Sequence, residues 1–253
     1  MLTELFADPS SLLLFALIGF SAQMIDGALG MAFGQISSTL LISTGVPPAA
    51  ASAGVHTAET FTTAVSAISH VAHRNVDWRL FFRLVIPGVI GGVAGAYVLS
   101  IGADQAKPFV LAYLTCLGLY LFYRGIMHRH TERRPRVVEP LGLVGGFLDA
   151  AGGGGWGAIV TSNLLVQGSN PRKTIGTVNT AEFFLTVTIS ATFILTLGLK
   201  AFTTATLGLL IGGVLAAPFG AQIAKRVNPD ALLTFVGALL TIVSFYGLYK
   251  ALV

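Results

Sequence analysis

Apolar residues run through this chain in long blocks, with the polar residues gathered in short clusters between them. Apolar stretches occupy 84–103, 109–123, 183–199 and 231–249. Their lengths approach the ~20 residues that cross the hydrocarbon core of a bilayer as a helix. The pattern predicts an all-α polytopic membrane protein. Composition agrees, since 54% of the 253 residues are hydrophobic, 10% are charged and the mean hydropathy is +0.78. A soluble domain carries ~25% charged residues, so 15 basic and 11 acidic side chains are too few to hydrate this surface. Soluble enzymes, nucleic-acid binders and disordered chains are excluded, and the lipid bilayer is an expected partner. The pI near 9.4 describes loops facing anionic lipid and the cytoplasm.

The polar clusters repeat. At an offset of 123, Asp26-Gly27-Ala28-Leu29-Gly30-Met31-Ala32-Phe33-Gly34 lies over Asp149-Ala150-Ala151-Gly152-Gly153-Gly154-Gly155-Trp156-Gly157, and both read D-x3-G-x3-G. Val55-His56-Thr57-Ala58-Glu59 lies over Val178-Asn179-Thr180-Ala181-Glu182, and Gly88 and Gly95 match Gly213 and Gly220 at an offset of 125. The expected organisation is a first transmembrane repeat at 1–127, a basic cytoplasmic linker at 128–140 and a second repeat at 141–253. Each repeat opens with a Gly-interrupted helix pair, re-entrant or broken, over 11–44 or 141–167. Three transmembrane helices follow it. From Pro140 to Asp149 is only ten residues, both included, too few for a full span. Broken backbone at membrane depth survives only where protein or water meets its polar groups.

Basic residues suggest the orientation. With odd crossings per repeat and the N-terminus outside, twelve Lys and Arg fall inside, and only Lys107, Lys200 and Lys250 fall outside. Parallel repeats would split ten against five, so inverted repeats are expected. The start of the chain, Met1–Ser11, has no Lys or Arg, which reads as a retained membrane segment rather than a secretory signal. Cys116 is the single cysteine, which excludes an internal disulfide or thiolate metal site. His70 and His73 lack a nearby acid and give only a weak metal signal. No metal and no cofactor are expected, no catalytic residues are assigned, and the chain does not read as an enzyme.

Four carboxylates, Asp26, Glu59, Asp149 and Glu182, lie in apolar sequence as two pairs of spacing 33. Charge at the bilayer centre costs at least ~2.5–3.5 kcal/mol, so such groups face a bundle interior or a wet cavity. Proton or ion coupling is one reading; helix capping by the Asp residues is the other. The glycine runs have two readings as well. Half-helix N-termini could bind a small anion at Gly30, Gly34, Gly152, Gly153, Gly154 and Gly157, with polar help from Gln35, Ser38, Thr57, Thr161, Asn163, Asn179 and Thr180. Alternatively, the small residues permit tight helix packing. His56 stands where the second repeat has Asn179; it is either a proton relay or a hydrogen-bonded interior histidine.

The run Gly145–Gly157 followed by Lys173-Thr174-Ile175-Gly176-Thr177 resembles the TauE/SafE family of sulfite exporters, also called the toluene sulfonate uptake permease family, over nearly the whole chain. The first half departs from that pattern: Gly27, Gly30 and Gly34 remain, Met31 and Phe33 fill in, and Ala53-Gly54 replaces Gly-Thr. The resemblance implies a secondary transporter of small sulfur-containing or organic anions (sulfite, thiosulfate or sulfonates) across the bacterial inner membrane, by uptake or export. The intramembrane acids add proton coupling as an expectation from this sequence. A passive anion channel, a membrane-embedded enzyme and an assembly partner are the alternatives. A second copy of the chain, as a homodimer, is a candidate partner.

Overall fold

The computed structural model describes residues 9–29, 31–127, 135–198, 204–224 and 229–252. Their regular elements are all helical: α1 (Pro9–Leu29), α2 (Phe33–Ser43), α3 (Pro48–Ala72), α4 (Trp78–Ile101), α5 (Ala103–Ile126), α6 (Glu139–Gly152), a π-wound turn (Gly157–Thr161) running into α7 (Ser162–Val166), α8 (Pro171–Leu197), α9 (Thr204–Ala224) and α10 (Pro229–Leu252). Local chemistry sets several of the boundaries. Proline opens α3, α8 and α10, where its missing N–H is not needed. Asp77 caps α4 by accepting from the Arg79 and Leu80 N–H groups at 3.0 and 3.2 Å. Asn170 caps α8 in the same way through Lys173 N–H at 3.2 Å.

Trp78–Ile101, Pro108–Ile126 and Lys173–Leu197 are long and apolar enough to cross a bilayer. Helix α3 has 25 residues but carries Ser52, His56, Glu59, Thr60 and Thr63, which keep its hydropathy low. Burial is inverted relative to a soluble protein: Leu195 and Phe109 are 86% and 76% exposed, while Ser38, Ser52, His56 and Thr177 are fully buried. Apolar side chains outside and polar ones inside suit a protein whose solvent is lipid.

Helix α1 packs along α9, α6 along α4, α3 against α8, and α5 against α10. Small residues set these distances. A Cβ on Gly19 would strike the Leu209 backbone, and one on Gly142 would strike the Leu84 backbone. Gly88 makes room for the Trp156 ring and Gly213 for the Phe33 ring. Phe33 and Trp156, aligned at an offset of 123, thus pack on Gly213 and Gly88, aligned at an offset of 125.

The second interrupted pair turns back on itself. Gln167, just past α7, accepts the Arg136 and Val137 N–H groups on Oε1 at 2.9 Å each, and its Nε2 donates to Val137 O at 3.1 Å. The two ends of the α6–α7 pair are thus tied together, and the pair is a helical hairpin. Helix α6 has 14 residues, ~21 Å of rise, short of the ~30 Å hydrocarbon core. Arg83 of α4 holds the same edge by ion-pairing Glu139 at the start of α6.

Candidate functional site

The site lies where the two helix interruptions meet. At the second one, Gly153, Gly154 and Gly155 take φ values of 75°, 132° and 150°, a region open to glycine and strained for other residues. Carbonyls in the last turn of α6 and just past it would be orphaned by the break. Hydroxyls from three other elements meet them: Ser52 (α3) donates to Ala150 O at 2.7 Å, Ser38 (α2) donates to Gly153 O, and Tyr113 (α5) donates to Gly154 O at 3.3 Å. Asp149 Oδ1 accepts Trp156 N–H at 2.8 Å, capping the helix start across the break.

At the first interruption, Asp26 Oδ1 accepts Phe33 N–H at 3.3 Å, the same reach of seven residues. Here Ala32 adopts the left-handed φ of 107°. Gly30 lies outside the described residues. The two interruptions touch: a Cβ on Gly34 would come 2.8 Å from Gly154 Cα and 3.0 Å from Glu59 Oε1. Space beside Gly153 is occupied by Ser38, and space beside Gly154 by Gly34 and Gln35. In this conformation the glycines let two backbones meet, the close-packing alternative of the two readings.

Helix α3 supplies groups to both interruptions. His56, fully buried, brings Nε2 to 3.1 Å from Asp149 Oδ2. Its Nδ1 lies 2.7 Å from the Ser52 carbonyl and 3.2 Å from Ser52 Oγ. Three residues on, Glu59 is 5% exposed and brings Oε1 up against Gly34 near the start of α2. Its Oε2 has no hydrogen-bond partner among the described residues. Glu182 of α8 is partly buried, and the charges acting on Glu59 are those of Glu182, Asp149 and Asp26. Asp26, Asp149 and Glu182 thus all lie within electrostatic reach of Glu59.

The other candidates divide. Thr161, fully buried, leaves Oγ1 without a partner among the described residues, and Gln35, 2% exposed, lies beside Gly154. Gly157 opens the π-wound turn. Thr57, Thr180 and Asn163 instead donate to carbonyls one turn back, at 2.7, 2.6 and 2.7 Å, and Asn179 donates to Ser66 Oγ at 3.3 Å. Those donors are spent within the helix bundle. Gly152 lies under the Tyr113 ring, at the end of an apolar cavity of about 350 Å³ lined by Val98, Phe109, Tyr113, Phe147 and Leu148 among others. Sequence reasoning missed Ser52, Tyr113 and Gln167. The spacing Ser52–His56 was a usable signal, placing both on one helix face. Among the described residues, no group of three or more His, Cys, Asp or Glu side chains is placed to hold a metal ion.

Comparison with known proteins adds a family. The profile described as sulfite exporter TauE/SafE matches residues 15–247. A relative from Bacillus subtilis (strain 168), named "Probable membrane transporter protein YtnM", is 41% identical over 243 residues, which cover 92% of this chain and 81% of the relative. No solved structure matches the chain.

Proposed function

The chain belongs to the sulfite exporter TauE/SafE family, and from that premise we propose that it is a proton-coupled secondary carrier of small anions of the sulfite, thiosulfate or sulfonate class. A membrane transporter needs an internal site that each face reaches in turn. The meeting of the two interruptions offers two half-helix starts and four carboxyl groups at one place. Half-helix N-termini present N–H groups and partial positive potential to an anion.

In the conformation described here carboxyls hold those N–H groups, Asp26 on Phe33 and Asp149 on Trp156, and Glu59 Oε1 sits against Gly34. An arriving oxyanion must displace at least one of them. A protonated carboxyl yields its N–H more readily than a carboxylate, because hydrogen bonds to the charged form are the stronger ones. It can also donate its own O–H to the anion. Anion and proton then bind together and leave together. The observation that carries this reading is Glu59 Oε2, buried and unpartnered between the two interruptions, since a buried polar atom without a partner costs ~1–3 kcal/mol. Gly34, Gln35, Ser38 and Thr161 line the proposed anion position, and Glu182 is the counterpart of Glu59 across the bundle.

The two halves are read as repeats, 1–127 and 141–253, joined by the linker 128–140 and related by an approximate two-fold axis. Support comes from the exchanged contacts Gly19–Leu209 with Gly142–Leu84, and Phe33–Gly213 with Trp156–Gly88. A hairpin that re-enters on its own side leaves each half with three crossings, an odd number, so the halves are inverted. The basic residues then put the linker in the cytoplasm and the N-terminus outside, in the bacterial inner membrane.

Reconstituted protein tests the reading. Proteoliposomes loaded with labelled sulfite, thiosulfate or an alkyl sulfonate are given a pH gradient. Accumulation of one of these against its own gradient supports the carrier. Flux that only dissipates gradients supports a passive channel instead.

A further inference from the structure

We propose that His56 and Asp149 form a second proton-binding site, present in one half of the molecule only, which gives its proton to water when the α6–α7 hairpin parts from α3. The proposal rests on the carrier reading for its role in transport, but the proton itself follows from hydrogen-bond bookkeeping.

Ser52 Oγ has one hydrogen, and it points to Ala150 O at 2.7 Å. Both Ser52 atoms near His56 Nδ1 are then acceptors, the carbonyl at 2.7 Å and Oγ at 3.2 Å. Nδ1 therefore carries a hydrogen. That leaves Nε2 facing Asp149 Oδ2 at 3.1 Å. Two bare lone pairs at that distance repel; a single proton between them makes a hydrogen bond. It belongs either to a protonated imidazole beside a carboxylate or to a neutral imidazole beside a carboxylic acid. In both cases the pair is neutral overall, which suits two side chains 0% and 2% exposed. Asp149 Oδ1 accepts Trp156 N–H, so both carboxyl oxygens have partners and no second proton is needed.

The contact joins the halves, His56 from α3 and Asp149 from α6. Alternating access in an inverted-repeat carrier moves one such element against the other. When they part and water enters, the proton leaves to water as hydronium. A carboxylate still capped by Trp156 remains, together with a neutral imidazole whose Nδ1–H stays on Ser52. The groups facing the pair are Glu59 on α3 itself, Glu182 on α8 and Tyr113 on α5, each within electrostatic reach of Asp149, with Asp26 on α1 acting on both glutamates. The other half cannot copy the device. Asn179 stands at the matching position, carries no titratable proton and spends Nδ2 on Ser66 Oγ at 3.3 Å. Asp26 has the helix-start bond to Phe33 but no histidine.

Two measurements test the site on the full chain. The ¹⁵N spectrum of histidine-labelled protein, with His56→Gln to assign its signal, should show His56 protonated at Nδ1. The opposite tautomer, Nε2–H with a bare Nδ1, overturns the proposal. In proteoliposomes the number of protons moved per sulfite, read from the reversal of flux, should fall by one in His56→Asn and in Asp149→Asn. The second variant keeps an oxygen for Trp156 N–H and so preserves the helix start. An unchanged ratio in both overturns the proposal. If wild type moves no sulfite, thiosulfate or sulfonate, the carrier reading falls, while the tautomer still decides the pair.

Discussion

Thr63 Oγ1 lies 3.4 Å from Thr186 Oγ1, and the two residues stand 123 positions apart, the offset that separates the two glycine runs in the sequence. In the two-fold arrangement proposed above, a residue that touches its own counterpart lies beside the axis. One helical turn away, on the same two helices, stand Glu59 and Glu182; the Thr63 hydroxyl donates to the Glu59 carbonyl at 2.6 Å. The acids thus flank the α3–α8 contact.

Cross-linking reads this contact directly. With Cys116 replaced by Ser, Thr63→Cys and Thr186→Cys together should form a disulfide under mild oxidation, because hydroxyls in contact place the Cβ atoms near the span a disulfide needs. A protease site in the linker turns the result into a gel shift: cross-linked halves stay together. Persistently separable halves would remove Thr63 and Thr186 from the axis.

Inversion has its own test. A cysteine at position 172 in the Cys116→Ser background should react with a membrane-impermeant maleimide only from the cytoplasmic face. One at position 200 should react only from outside. Reversed accessibility at both positions favours parallel repeats.

The glycine positions separate two effects. Gly198 has φ 71° and open space where a Cβ would go, whereas Gly154 has φ 132° and the Gly34 backbone in the way. With φ 71° and ψ −177° Gly198 lies in a region kept almost entirely to glycine, so Gly198→Ala should cost ~1–3 kcal/mol from backbone strain alone. Gly154→Ala should lose clearly more, by pushing the two interruptions apart, and should abolish anion flux. Melting of both variants in detergent, beside proteoliposome flux, decides; equal stability losses mean that the interruptions do not press on each other.

Coupling is read at Glu59. A pH difference of one unit is worth ~1.4 kcal/mol per proton, or tenfold accumulation of a co-transported anion. Glu59→Gln keeps the side chain's shape and an oxygen against Gly34 but cannot release a proton. It should lower pH-driven accumulation by about that tenfold, while labelled anion still exchanges across membranes of equal pH. Full accumulation by both Glu59→Gln and Glu182→Gln would make the two acids structural and move coupling to Asp26, Asp149 or His56.

Much of this site was legible in the order of residues. The repeated D-x3-G-x3-G marked both interruptions, and in each the Asp holds the helix start seven residues on, at Phe33 and Trp156. The paired Glu59 and Glu182 stood out because a carboxyl in apolar sequence is rare. The partners of the broken backbone were not legible. Ser38, Ser52 and Tyr113 are ordinary residues on three different helices, and their hydroxyls have meaning only beside the carbonyls of Gly153, Ala150 and Gly154.

What the sequence by itself determined is therefore what depends on neighbours along the chain. The membrane setting follows from apolar blocks of spanning length, the helix starts from Pro48, Asp77, Asn170 and Pro229, and the interruptions from glycine's freedom at φ values closed to other residues. Only the tertiary structure decided that His56 meets Asp149 across 93 residues, that Gln167 ties the hairpin shut, and that Gly34 rests on Gly154. Such meetings depend on how whole helices pack, which is set by the combined fit of many small side chains and carries no mark at either partner's place in the chain.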